Sequence, residues 1–235
     1  MIGMARQKLA LIVRGGWEGH QPVETTDSFI PFLRTHGYEV VVASSPSPYA
    51  DTEFMSSVDL VVQCVTMSTA EKAEVDGLRA AVAAGTGLVG WHGGIVDSYR
   101  NSADYLQLVG GQFANHPAAS PGQLTGNQSD YYVAHRIAFT EAGSEHFITT
   151  GIADFDLDTE QYWVLTDDYN DVLATTTLPA RPGDPWRRPI IRPAVWTRNW
   201  AEGRIVVCTP GHNVEVLKNV NVRTIIERGM LWASR

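Results

Sequence analysis

Seven histidines are spread along the 235-residue chain, and three of them stand where apolar runs end. His20 closes Gly15-Gly16-Trp17-Glu18-Gly19-His20, after the run at 9–13. His92 lies in Gly90-Trp91-His92-Gly93-Gly94, after Leu88-Val89. His212 ends Thr209-Pro210-Gly211-His212, after the run at 205–208. One carboxylate, Glu160, joins them from Thr159-Glu160-Gln161-Tyr162. Imidazoles with a carboxylate suit two tasks. They bind a divalent metal such as zinc, which takes histidine nitrogen and carboxylate oxygen, or they act as general acid and base near neutral pH. No pair has the short spacing of a zinc-protease helix, so only folding can bring these groups together. Each also has a plainer role. His20 can be a solvated loop residue, His212 a cap on the last helix, and Glu160 the partner of an arginine such as Arg198 or Arg204.

The runs at 8–14, 38–43, 59–65 and 88–91 predict buried strands. Between them, 25–36 carries Phe29, Ile30, Phe32 and Leu33 on a helical face. Pro31 then requires that helix to start near Thr26 or Asp27, because only the first turn tolerates proline, and Gly37 closes it. Ser68-Thr69-Ala70-Glu71 has capping-box spacing ahead of an alanine-rich helix to 84, and 99–109 predicts a third helix. This β-α-β-α-β-α order implies an α/β fold, a parallel sheet with helices on both faces. Ligands of such sheets sit beyond the carboxyl ends of the strands. The segments at 15–20, Thr66-Met67 and His92-Gly93-Gly94 therefore share one edge.

Further along come a polar loop at 119–130, strands at 131–139 and 172–177, a proline-rich loop at 179–193, a hairpin of 194–200 with 204–208, and an amphipathic helix at 216–232. The proline-rich loop reads as a flap or an oligomer contact. Nothing marks a second domain, so residues 1–235 read as one.

A net charge of −8 argues against a nucleic-acid partner. The two cysteines lie in apolar runs, Cys64 in Val61-Val62-Gln63-Cys64-Val65, and their spacing fits neither a zinc motif nor a redox pair. Both read as buried thiols of a reducing compartment. No stretch approaches the ~18 apolar residues of a membrane span, and the run at 9–13 is too short for a secretory signal. The expectation is a cytoplasmic protein with no membrane partner. Trp17, Trp91, Trp163 and Trp196 lie near the strand ends, where aromatic rings would suit the CH face of a sugar. The turn after 88–91 has the shape of a nucleophile elbow but holds His92 where serine or cysteine would stand. His116 and His146 read as turn-formers, and His36 and His135 as structural or exposed.

Six segments in order give the chain a resemblance to the trehalose-utilisation, or ThuA-like, family: Gly90-Trp91-His92-Gly93-Gly94; Gly110-Gly111-Gln112-Phe113-Ala114-Asn115-His116-Pro117; His146-Phe147-Ile148-Thr149-Thr150-Gly151; Glu160-Gln161-Tyr162; Pro210-Gly211-His212; and Gly229-Met230-Leu231-Trp232-Ala233. Phe147 departs from the family, which usually has proline there. The resemblance implies a flavodoxin-like three-layer sandwich with a mainly parallel sheet, similar to class I glutamine amidotransferases. In that comparison His92 falls on the amidotransferase cysteine, so amidotransferase chemistry is not expected, and His212 falls near its catalytic histidine. It also implies catabolism of disaccharides, trehalose and its 3-keto derivatives, and some relatives carry bound metal.

Together these readings give an enzyme acting on a small sugar or keto-sugar by acid/base chemistry, an isomerisation or a hydrolysis. Glu160 or His92 would be the base and His212 the acid or a metal ligand. The amides of Gly93 and Gly94 would hold an oxyanion. Trp17, His20, Trp91, His116 and Tyr162 would line the substrate site. If a divalent metal such as zinc is the cofactor, the candidate ligands are His20, His92 and His212. Two other readings stand beside this one: a non-catalytic sugar-binding or assembly module, and a metal-dependent hydrolase of unrelated substrate. The protein is expected to form a homodimer or higher homo-oligomer.

Overall fold

A computed structural model describes residues 7–117 and 131–235; the polar loop expected at 119–130 lies outside them. The strands are β1 (Lys8–Gly16), β2 (Tyr38–Ala43), β3 (Leu60–Thr66), β4 (Gly87–Trp91), β5 (Gly111–Asn115), β6 (Tyr132–Phe139), β7 (Phe155–Glu160), β8 (Trp163–Thr166), β9 (Asp171–Leu178), β10 (Ile190–Trp200) and β11 (Gly203–Cys208). The helices are α1 (Pro22–Asp27), α2 (Ile30–Thr35), α3 (Thr52–Ser57), α4 (Lys72–Ala83), α5 (Gly93–Val96), α6 (Ala103–Val109), α7 (Glu141–Glu145), α8 (Val214–Leu217) and α9 (Val220–Ala233).

Nine strands form one sheet in the order β2-β1-β3-β4-β11-β10-β9-β6-β7, and β5 pairs with β8 in a separate ribbon. The pairs from β2 to β11 are parallel. Their order is the 2-1-3-4-5 of flavodoxin-like folds, with β11 as fifth strand. From β11 to β7 every pair is antiparallel, so the five parallel strands of the expected sandwich carry an antiparallel extension of four. Two apolar layers cover the sheet. On one side Phe29, Leu33, Val222, Ile225 and Ile226 pack on Ala10, Ile12, Val62 and Val206. On the other Met55, Val75, Leu78, Ile95 and Leu108 pack on Leu11, Val61, Val65 and Leu88. β3 and β4 are buried along their whole length. Strands covered on both faces read as continuous apolar runs, which is why they stand out in the sequence.

Three predicted helices differ in detail, each for a local reason. The segment 25–36 is two short helices, with Pro31 in the first turn of α2. Pro31 has no N–H, and its ring would clash with the carbonyl four residues back, so α1 cannot run through it. The last helix is split at Asn219, whose side chain accepts from the amides of Asn221 and Val222 and starts α9 afresh. The capping box ahead of α4 is Glu71 with Glu74, not the Ser68 quartet. The proline-rich loop is also shorter than expected, because β10 already begins at Ile190 and accommodates Pro193 at a register shift.

No helix among the described residues is long and apolar enough to cross a membrane.

Candidate functional site

The carboxyl ends of β1, β3, β4 and β11 meet in one place. β1 ends at Gly16, and Trp17 N–H donates to the Thr66 carbonyl at the end of β3 (3.1 Å). His20 follows on a single 3-10 turn. His92 is the first residue past β4, and its amide donates to Cys208 O at the end of β11 (2.8 Å). The loops also brace one another. Val214 N–H donates to Gln21 Oε1 (3.2 Å), and Asn213 Nδ2 donates to the Tyr132 hydroxyl (2.8 Å).

Glu160 arrives from the antiparallel half. It ends β7 opposite Tyr132 of β6, and three residues later, at Trp163, the chain enters β8. The partner of β8 is β5, with Trp163 paired to Asn115, and His116 follows Asn115 directly. The small ribbon thus sets His116 and Tyr162 beside Glu160.

His92, Glu160, His212 and His20 present one ligand-type atom each within 4.8 Å of one another, and all four are buried. Glu160 Oε2 is 2.8 Å from His92 Nε2, 3.2 Å from His212 Nδ1 and 4.0 Å from His20 Nε2. His212 Nδ1 is 3.4 Å from His92 Nε2. Four donors set tetrahedrally about 2.0–2.1 Å from a zinc ion are about 3.3 Å apart, so these separations bracket what an ion there requires.

Ring orientation supports the same reading. His92 Nδ1 lies 2.8 Å from the Thr209 carbonyl, which can only accept. Nδ1 therefore carries the proton, and in the neutral ring Nε2 points a lone pair at the carboxylate. Two acceptors 2.8 Å apart need positive charge between them, either a second proton on His92 or a cation. His20 is oriented in the same way, with Nδ1 2.9 Å from Thr66 Oγ1 and Nε2 turned inward. A histidine held by its far nitrogen is the usual arrangement of a metal ligand.

Burial, with the neighbouring His92 and His212, lowers His20 to about 2. Burial also lowers His92, against the opposing pull of Glu160. Burial raises Glu160, but its close contacts with His212 and His92 outweigh that and hold the carboxyl below its ordinary range. Burial thus favours the neutral forms of His20 and His92 beside an ionised carboxylate, the protonation state that metal binding requires.

The turn carrying His92 has the geometry of a nucleophile elbow. His92 sits at φ 49°, ψ −145° between β4 and the single-turn α5. Such a backbone costs about 1–3 kcal/mol and persists only where its surroundings over-determine it. Gly93 and Gly94 are needed for close approach. A Cβ on Gly93 would lie 2.5 Å from His20 Cε1, and one on Gly94 would lie 2.8 Å from Cys64 Cα.

Tyr162 stacks on the His92 ring at 4.0 Å. Its hydroxyl bonds to Glu160 and accepts from the Gly93 amide. A phenol oxygen thus lies beside the Gly93 amide, expected with that of Gly94 to hold an oxyanion. His116 Nε2 is 3.8 Å from the other carboxylate oxygen, Oε1, and its ring stacks on Tyr131 at 4.8 Å. Trp17 is half exposed at the rim, with its ring 4.8 Å from His20. Met67 and Tyr131 are exposed as well.

Trp91, expected in the pocket wall, is 1 % exposed and packs on Phe29 within the core. Strand alternation turns it away from the edge that His92 reaches. Neither arginine considered for Glu160 pairs with it: Arg198 binds Asp167, and Arg204 donates to the Ser234 carbonyl. His36 and His135 bond to nearby backbone carbonyls, and His146 holds its own turn by accepting from Ile148 N–H. Thr66 and the Thr209 carbonyl, which orient two of the histidines, were missed as functional residues. The one available signal was their place at a strand end beside a histidine loop.

These features define a flavodoxin-like sandwich with a histidine–carboxylate cluster at its strand-end edge. Residues 9–233 match the family model described as trehalose utilisation, ThuA, and the chain belongs to that family. No curated protein matches it. Among solved structures it is similar to a ThuA-like protein from Bacteroides uniformis, with 17% identity and TM-score 0.70, covering 98% of this chain and 92% of that one. A ThuA-like protein from Parabacteroides merdae gives 13% identity and TM-score 0.68, with 97% and 90% covered. A cytoplasmic protein from Salmonella typhimurium gives 13% and 0.63, with 97% and 100% covered. At these identities the likeness is one of fold.

Proposed function

We propose that this protein is a metal-dependent enzyme of carbohydrate catabolism, acting on a disaccharide or keto-sugar at the cluster of His20, His92, Glu160 and His212. The observation that carries the reading is the convergence of three inward-facing imidazole nitrogens on one buried carboxylate oxygen. The family supplies the sugar context. A bound divalent ion would polarise a carbonyl or hydroxyl oxygen of the substrate.

The chain's own groups do the rest. Thr66 and the Thr209 carbonyl fix the rings of His20 and His92. Tyr162 fixes Glu160 and covers one face of His92. His116 lies beside the carboxylate oxygen that the other three histidines leave open, placed to hold or pass a proton during isomerisation or assisted hydrolysis. Burial keeps His116 below its ordinary range and so neutral near pH 7. Trp17 and Tyr131, at the rim, offer apolar faces to a sugar ring. The reading places the protein in the cytoplasm, as the Salmonella relative is described.

A second reading keeps the ion but not the chemistry. Four protein donors complete a tetrahedral shell, as in structural zinc sites, which suits a non-catalytic sugar-binding module. Incubation with 3-keto-disaccharides and product analysis separates the two. Turnover that disappears in His92→Ala while the fold persists supports the enzyme. Binding by calorimetry with unchanged sugar in every case supports the module and overturns the enzyme.

A further inference from the structure

Gln63 is a fully buried amide in the middle of β3, between Val61 and Val65 in an otherwise apolar layer. Burying an amide is unfavourable unless every polar atom is bonded, and an apolar side chain would fill the space without that demand. The three bonds made by its Nε2 lead to one destination. Its Oε1 accepts from the Tyr49 hydroxyl (3.1 Å), and its Nε2 donates to the Tyr105 hydroxyl, to Ser98 Oγ (3.3 Å) and to the Gly94 carbonyl (3.4 Å). The Tyr105 hydroxyl in turn donates to Ile95 O (2.8 Å), and the Ser98 hydroxyl is shared between Gly94 O (2.9 Å) and Val65 O. Gly94 and Ile95 belong to α5, the single turn that follows His92. One turn of helix cannot hold itself, and its last carbonyls have no partners within it.

We propose that Gln63, acting through Tyr105 and Ser98, is a positioning residue that fixes the turn carrying His92 and thereby sets the geometry of the metal cluster from the opposite side of α5. The inference rests on the metal reading for its consequence but not for its mechanism, so two measurements separate them. In metal-free protein, the backbone 13Cα and 13Cβ shifts of His92 report its φ and ψ. Gln63→Leu should move them toward an ordinary helical or extended residue, and Tyr105→Phe should move them less. In protein titrated with cobalt(II), Gln63→Leu should bind about tenfold more weakly, the lower end of what outer-shell changes cause, with an altered visible absorption band.

If His92 shifts and cobalt binding both match wild type in Gln63→Leu and Tyr105→Phe, even at a lowered Tm, the network only packs the core and the inference is overturned. If wild type binds no cobalt, the metal reading fails, and the His92 shifts still decide the role of Gln63. Should Gln63→Leu not fold, Tyr105→Phe and Ser98→Ala carry the same test.

Discussion

The two halves of the large sheet contribute to the site in different ways. The parallel half, from β2 to β11, has β3 and β4 buried on both faces and supplies three histidines from the ends of β1, β4 and β11. The antiparallel half supplies one carboxylate from the end of an edge strand, and the separate two-stranded ribbon brings His116 and Tyr162 beside it. The histidine side is held by backbone and by short second contacts: Thr66 on His20, the Thr209 carbonyl on His92. The carboxylate side is held by the groups it faces, His92 and His212 first, with Tyr162 beside them. An ion bound among them would therefore join the two halves, and each half should respond differently to its loss.

The largest effect should come from cutting that link. Glu160→Ala should leave protein that is folded but carries no stoichiometric metal after gel filtration, as measured by elemental analysis. Full metal content in this variant would show that the antiparallel half is not part of the centre. Next in size is the effect of loading. Metal at about a hundredfold excess over its Kd should stabilise the native state by about 2.7 kcal/mol, raising Tm by roughly 5–11 °C. A Tm indifferent to both zinc and chelator would mean that no ion bridges the halves.

Proton linkage gives the next contrast. His20 ordinarily titrates at 6.5 but is held to about 2 in the fold. Below about pH 6.5 the unfolded chain takes up a proton that the folded chain does not, so native stability falls as pH drops from 6.5 towards 2. Metal-free protein should show a lower urea midpoint at about pH 5 than at about pH 7.5, and His20→Phe should flatten that slope. Smaller still is Thr66→Val. Loss of the hydroxyl facing His20 Nδ1 should weaken metal binding by about 10-fold, whereas Arg198→Lys, whose partner is Asp167, should leave binding unaltered. Trp17→Ala closes the series: half exposed at the rim, it should change stability by less than about 0.5 kcal/mol while weakening sugar affinity by calorimetry.

The same contrast governs what the sequence reveals. β4, and β3 apart from Gln63, read as apolar runs because both their faces are covered, and their ends point to His92 and to Thr66-Met67 without further help. His20 and His212 follow β1 and β11 by the same logic. Glu160 has no such marker. It lies in a stretch of alternating acidic residues, Asp156, Asp158 and Glu160, and only strand pairing separates the buried one from its exposed neighbours. The antiparallel order of β9, β6 and β7 is equally hidden, since short strands of ordinary composition do not declare their partners. Gln63 stood in plain view as the polar member of an apolar run, yet its bonds run to residues 14, 31, 35 and 42 positions away. The breaks at Phe29 and Asn219 turned on one proline and one side-chain cap, local details that hydrophobic periodicity does not resolve.

The central claim is that His20, His92, His212 and Glu160 hold one divalent ion between the two halves of the sheet. The most direct test is X-ray absorption on protein purified without added metal, then stripped and reloaded with one equivalent of zinc. The expected result is one ion per chain with a first shell of three imidazole nitrogens and one carboxylate oxygen, lost in Glu160→Ala. A chain that takes up no zinc, or whose zinc shows a shell of sulfur or of water alone, would contradict it.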